Sequence, residues 1–359
     1  MKKKFFLLLP ACILVLAAGW ALAAGDAADP LATLSYLTGA FTEAVDQRVD
    51  QRLNEANLSS GAGAVPAASA LSWAETRLKG ADDAVCSTGS SVMLLAGGAY
   101  VSYPSNGAVV DVTAGTVVPS GTILAVNHRY MVAEDTIAHF IVTSKTAVLD
   151  YQGTVEFAYS SAEDYNAMAA ALKQLHLFRG TLTGYGQGFD LEAAPTRLQA
   201  LIMFIRVLGE EQQALSWSGT TPFRDVVPGT EAEKYVGYAY ERGYTNGYSP
   251  TEFRPAGAVN ASQYTEFVLR AMGYSSSANT NLADVFDRAM NAGVLTAGET
   301  AMLQRDRFLR AELVYISYYA LDALLPNSNR TLGNQLMDAG VFTSAEWEQA
   351  RGLVTSWRL

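Results

Sequence analysis

Hydrophobic positions change their period along this chain, and each change marks an element. Lys2, Lys3 and Lys4 precede a continuous apolar run that ends at Ala21-Leu22-Ala23, the pattern of a secretory signal over residues 1–23. Cleavage after Ala23 is expected; a retained membrane anchor and a lipoprotein site at Cys12 are the alternatives. Over 34–57, Leu37, Phe41, Val45, Val49 and Leu53 recur at spacings of three and four, which predicts an amphipathic helix. That helix either docks on its own chain or forms a short self-association coil. A Gly/Ala/Ser stretch with Pro66 follows over 59–70 and reads as a hinge. Between Cys86 and Tyr159 the period shortens. Short apolar runs at 92–95, 108–110, 123–126, 139–142 and 147–149 alternate with turn signals such as Gly97-Gly98, Gly115, Pro119-Ser120-Gly121 and Gln152-Gly153. This predicts strands in a small all-β sandwich or barrel.

Helical spacing then takes over. In 223–273, Ala232, Tyr235, Val236, Ala239 and Gly243 form one stripe, and Gly243 and Gly247 bracket a tight turn. Asn260 with Gln263 reads as a capping box that starts a second helix, which stops at Gly273. An earlier stretch repeats the punctuation: Gly180 and Gly184 match Gly243 and Gly247, Phe189 matches Phe253, and Thr196 with Gln199 matches Asn260 with Gln263. A degenerate third copy has Ala289, Gly293 and Val294 closing a short helix and 308–312 opening a long one. Repetition of this kind predicts stacked units that bury their faces on one another. The long helices at 196–208, 260–272 and 310–325 should therefore pack together. Near 336–341 one further helix-turn reads as a packing helix, with a fourth partial repeat as the alternative.

Phe223-Arg224-Asp225-Val226, Phe253-Arg254-Pro255, Pro195-Thr196-Arg197-Leu198-Gln199 and Arg310-Ala311-Glu312 resemble the S-layer homology (SLH) domain, usually found as three tandem copies. The expected fold is α+β: a small all-β domain followed by an all-α bundle of three SLH-type helix–loop–helix repeats. The divisions are a signal peptide at 1–23, helix and linker at 24–72, and a β-rich domain at 73–160. Repeats follow at 161–221, 222–279 and 280–325, with a helical tail at 326–359. The resemblance implies a secondary cell-wall polysaccharide as partner, often pyruvylated, gripped in grooves between repeats. It also implies a place at the cell wall or surface.

Arg197, with Thr196, and Arg310 are the candidate binding residues. Each arginine begins a predicted helix, where free backbone N–H groups and the dipole favour an anion. A planar guanidinium there can take a carboxylate bidentately; the other reading is a salt bridge between repeats. Ala261 stands where the middle repeat would carry its arginine, so that groove should be weak or purely structural. Tyr235, Tyr238, Tyr240, Tyr244 and Tyr248 are either sugar-stacking platforms or helix-seam core.

Composition narrows the partners. The formal net charge is −10 before the three signal lysines are removed, which argues against a nucleic-acid partner. Cys86 alone remains after signal cleavage, so no intrachain disulfide is expected and the core must carry the fold. His128, His139 and His176 lack metal-ligand spacing, and no nucleophile elbow or phosphate loop is present. No cofactor, metal or membrane contact of the mature protein is expected. A non-catalytic surface protein is the first reading; a wall-active hydrolase or protease with the same anchor is the alternative.

Overall fold

The computed structural model describes residues 72–179, 181–183, 186–274 and 282–359. The signal segment 1–23, the amphipathic stretch 34–57 and the linker 59–70 lie outside the described residues. What is described is α+β: a sandwich of two antiparallel sheets followed by a helical part.

The strands are β1 (Ala74–Lys79), β2 (Asp83–Cys86), β3 (Ser91–Ala96), β4 (Ala99–Ser102), β5 (Ala108–Asp111), β6 (Thr116–Val118), β7 (Arg129–Ala133), β8 (Ala138–Val142), β9 (Thr146–Gln152) and β10 (Val155–Ala158). One sheet runs β1-β9-β3-β7-β5-β6 and the other β10-β2-β8-β4. Alternation sends Val92 and Leu94 of β3, Tyr130 and Val132 of β7, and Phe140 and Val142 of β8 into a shared core with Cys86. The Tyr130 hydroxyl keeps a polar partner there, accepting from the Ala125 N–H at 2.7 Å. The run at 123–126 is a correction: it forms a loop, with Ile123 and Val126 exposed and Leu124 alone turned inward. Asn127, at φ 63°, ends it by swinging its N–H onto the Leu94 carbonyl. Strands such as β1, sequence AETRLK, carry too few apolar residues to stand out by pattern.

The helical part comprises α1 (Tyr165–Gln174), a small hairpin of β11 (Thr181–Thr183) and β12 (Gly186–Gly188), then α2 (Arg197–Val207), α3 (Glu211–Ser216), α4 (Glu231–Glu241) and α5 (Ala261–Ala271). A 3₁₀ turn (Leu282–Asp284) leads to α6 (Val285–Asn291), α7 (Ala297–Arg305), α8 (Arg310–Ala320), α9 (Leu332–Asp338) and α10 (Ser344–Leu353). α2, α5 and α8 touch one another, as their apolar faces predict. Tyr264 joins all three: its ring meets Phe204 edge-on at 6.2 Å and Phe308 at 5.9 Å, while its hydroxyl pairs with Ser317 at 2.6 Å. α8 is buried at every position because α1, α2 and α5 surround it.

Helix starts interlock. Thr196 and Asn260 form the predicted capping boxes with Gln199 and Gln263. In addition, the Arg197 and Leu198 N–H groups donate to the carbonyls of Gly257 and Pro255, at 2.8 and 3.1 Å. Those of Arg310 and Ala311 donate to Ala193 and Leu191, at 2.9 and 3.1 Å. Helix ends are also alike. Leu177, Tyr244, Val294 and Val341 each send an N–H back to Leu172, Ala239, Ala289 and Leu336, after a residue with positive φ. That residue is Gly243, Gly293 or Gly340, but in the first case it is His176, at φ 62°. His176, not a glycine, thus takes the left-handed position that Gly243 holds in the later unit; Gly180, matched with Gly243 from the sequence, lies outside the described residues. α8 stops at Ala320 rather than continuing to 325, because the Leu321 and Ala323 carbonyls accept the Gly333 and Leu332 N–H groups.

Leu309 heads α8 without a side-chain acceptor; only the return half of its box exists, Glu312 taking the Leu309 N–H at 2.6 Å. Thr196→Ala and Asn260→Ala should each lower stability by about 1 kcal/mol, and Leu309→Thr should leave it unchanged or slightly raised. Chemical denaturation checks this, and equal midpoints for all of them and the parent would refute the cap assignments.

Candidate functional site

Among the described residues, two clefts between the helices hold the candidate arginines. The larger, about 480 Å³, is lined by Arg197 from α2, residues 245–250 from the turn after α4, Gln263, Glu266, Phe267 and Arg270 from α5, and Leu282. Its floor is unusual in charge. Arg197 is 7% exposed, and its guanidinium lies over the rings of Phe253 and Phe267 at 5.1 and 5.2 Å. One Nη donates to the Gly247 carbonyl at 3.2 Å, and the Nε has no hydrogen-bond partner. Among the described residues no carboxylate lies within 4.0 Å of it. Burial, and then the charge of Arg270, pull this guanidinium down to about 10, which still leaves it charged at neutral pH.

Neighbouring charges are already matched. Glu266 is buried and takes Arg270 Nε at 2.6 Å and Arg288 at 2.8 Å. Gly247 must be glycine: its φ is +80°, and a Cβ there would sit 2.3 Å from the Phe223 ring. Of the five tyrosines, Tyr248 alone lines this cleft; it is exposed, with the Arg254 guanidinium over its ring at 3.5 Å. Tyr235, Tyr238 and Tyr244 are buried and anchor the turn after α2, donating to Glu211, Glu210 and Glu210, each at 2.8 Å.

The second cleft, about 300 Å³, repeats the arrangement with other residues. It is lined by Arg310 from the start of α8, Gln199, Ile202, Met203 and Arg206 from α2, and Phe178 and Arg179 from the turn after α1. Gln199, Met203 and Arg206 occupy the same places in α2 as Gln263, Phe267 and Arg270 in α5. Here the first-turn arginine has a partner: Arg310 faces Asp190 at 3.5 Å. Arg206 and Arg179 share Glu211, both at 2.8 Å.

The candidate residues thus fall into two clefts rather than one. Thr196 lines neither; its hydroxyl caps α2 by accepting the Gln199 N–H at 3.2 Å. The expectation of free first-turn N–H groups is overturned, since neighbouring carbonyls already take those of Arg197, Leu198, Arg310 and Ala311. What remains for an anion is the guanidinium itself. Arg270 and Arg206 were missed by sequence reasoning, although a shared signal exists. Arg270 follows the helix-opening Ala261 at the same interval at which Arg206 follows the helix-opening Arg197.

Residues 222–260, which run from the entry of α4 through the cleft-forming turn to the cap of α5, match the family model of the S-layer homology domain. The chain carries an S-layer homology domain. No curated protein matches the chain. The S-layer homology segment supplies Gly247 and Tyr248 to the larger cleft and the Phe253 ring that packs on Arg197, while Arg197, Gln263 and Arg270 reach the cleft from outside the matched residues.

The three histidines pair with carboxylates: His128 with Asp111 at 2.7 Å, His139 with Asp83 at 2.6 Å and His176 with Glu346 at 3.3 Å. Among the described residues no group of three or more His, Cys, Asp or Glu side chains could hold a metal. Burial raises the Cys86 thiol to about 12, helped by Asp83, so it stays protonated.

Glu211 ties α3 to both α2 and α4. Burial alone would raise its carboxyl, but hydrogen bonds from Arg206 and Tyr235 and the charges of Arg206 and Arg179 outweigh that and hold it below the usual carboxylate range. A lowered folded pKa means the stabilisation is full above the unfolded value and is lost as pH falls through the folded one. Glu211→Gln should therefore lower the melting temperature at pH 7 and shrink the loss of stability on acidification through and below the ordinary carboxylate range. Melts across that range check it; parallel curves for variant and parent would refute the role.

Proposed function

We propose that the protein is a non-catalytic cell-surface protein held at the wall by three S-layer homology repeats, whose two arginine clefts take carboxylate groups of a secondary wall polysaccharide. The carrying observation is Arg197: a buried guanidinium with an unpartnered Nε and, among the described residues, no carboxylate within ion-pair distance, facing a cleft open to solvent. A buried charge without a counterion is costly unless something supplies one. A pyruvate ketal, the group implied by the resemblance, presents a planar carboxylate that a guanidinium fork can accept bidentately. Its sugar ring could rest against Tyr248. The S-layer homology match supports wall or surface association. Among the described residues no helix is long and apolar enough to cross a membrane.

The first and third helix–turn–helix units are assigned to the same family because they share the cap positions, the helix closures and the cleft positions of the matched unit. The Asp190 contact weakens the case for Arg310, because a ligand there must displace an existing partner.

Sedimentation with purified sacculi tests the reading. Arg197→Ala should weaken binding about ten- to a hundredfold, the range of a lost charge-assisted hydrogen bond of roughly 1.5–3 kcal/mol, with little change in melting temperature. Arg197→Lys keeps charge without the fork and should fall between. Arg310→Ala should show a smaller effect, and stripping the non-peptidoglycan polymer should abolish binding. If Arg197→Ala binds as well as the parent, the arginine is structural. A zymogram on peptidoglycan accompanies the assay, and a clearing band would sink the non-catalytic reading.

A further inference from the structure

The pattern that builds the two arginine clefts also specifies a third place, between α5 and α8. Ala261 begins α5 there, where Arg197 begins α2 and Arg310 begins α8. On α8, Glu312 and Tyr319 stand where α5 has Gln263 and Arg270. The turn after α6 provides the opposite wall, and beyond it Glu299 lies at the start of α7. This third place is filled by the protein itself. Arg358 crosses Tyr319 with its guanidinium 4.9 Å from the ring centre. Its Nε donates to Glu299 at 2.6 Å, and its Nη donates to Glu299 at 3.0 Å and to the Val294 carbonyl at 2.9 Å. The Leu359 N–H donates to the Tyr315 hydroxyl at 3.1 Å. From the sandwich, Lys145 in the turn between β8 and β9 reaches Glu312 and, at 2.8 Å, Asp306, with its ammonium 5.8 Å from the Tyr165 ring.

Charge has changed sign between equivalent places. Two clefts hold a buried arginine. The third has lost that arginine and holds two buried carboxylates, Glu299 at 0% and Glu312 at 1% exposure. Capping explains why a glutamate occurs at each position, since each accepts its own cap N–H. It does not explain why both are sealed from water, which is tolerable only with a cation on each. We infer that the third cleft is a charge-inverted copy of the other two: a cation-accepting groove filled in cis, by the Arg358 guanidinium on Glu299 and by the Lys145 ammonium on Glu312. The groove thereby seats the β-sandwich on the helical bundle. This assignment does not depend on what the two arginine clefts bind.

Chemical rescue tests the guanidinium half. Arg358→Ala in the full chain should melt several degrees lower, and millimolar ethylguanidinium should restore it saturably while leaving the parent unmoved. Arg358→Ala with Glu299→Gln should gain nothing from the additive. If Arg358→Ala melts like the parent, or if ethylguanidinium shifts all three proteins alike, the groove is not a cation site. Spin labels at Ser105 and Ser328, in a background with Cys12→Ser, test the docking half. Their distance distribution should be narrow in the parent and with Lys145→Arg, and broadened with Lys145→Met. An unchanged narrow distribution for Lys145→Met would overturn the seat. Should Lys145→Met fail to fold, a broadened distribution for Lys145→Arg would do the same, because that variant keeps the charge.

Discussion

A helix that starts in a dry interior must find acceptors for its first N–H groups, and this requirement organises the helical part. α2 finds them in the loop before α5, at Gly257 and Pro255, and α8 finds them in the loop before α2, at Ala193 and Leu191. Each loop is thus fixed by the helix of another unit, so a unit taken alone would leave polar backbone unsatisfied. Tyr264 completes the arrangement from within by touching all three long helices. The clefts are a by-product: where a loop bends to cap a neighbour, the first side chain of that neighbour is drawn inward beneath the next turn.

Arg197 shows what this does to chemistry. Backbone capping at its N–H and the rings of Phe253 and Phe267 hold its stem, so the guanidinium is placed before any ligand arrives. A side chain with so many rotatable bonds would otherwise lose considerable freedom on binding. Arg310 shares the backbone capping, but its guanidinium already meets Asp190.

Local signals were legible in the sequence and distant ones were not. Thr196 with Gln199 and Asn260 with Gln263 announce helix starts because the capping box is completed within four residues. Phe140 and Leu149 reveal strands because they sit in apolar runs, whereas β1 is hidden by its charges. His176 escaped notice because the left-handed turn after α1 does not demand glycine, only a residue whose strain the closing hydrogen bonds offset. Nothing near Arg197 in the chain forecasts the Gly257 and Pro255 carbonyls that remove its first-turn N–H groups from use. Nor does anything near Glu312 forecast Lys145, which meets it from the other sheet-built half of the chain.

The two arginine clefts sit on one packed bundle, so the interval between them is set by helix packing rather than by a flexible tether. On the proposed reading, a polymer with acidic groups at a fitting repeat could occupy both at once, and the second contact would form at a high effective concentration. A chain whose substituents are sparse or out of step would hold one cleft and release it quickly. The bundle would then act as a ruler, sorting wall polymers by the spacing of their charges as much as by the identity of any one sugar.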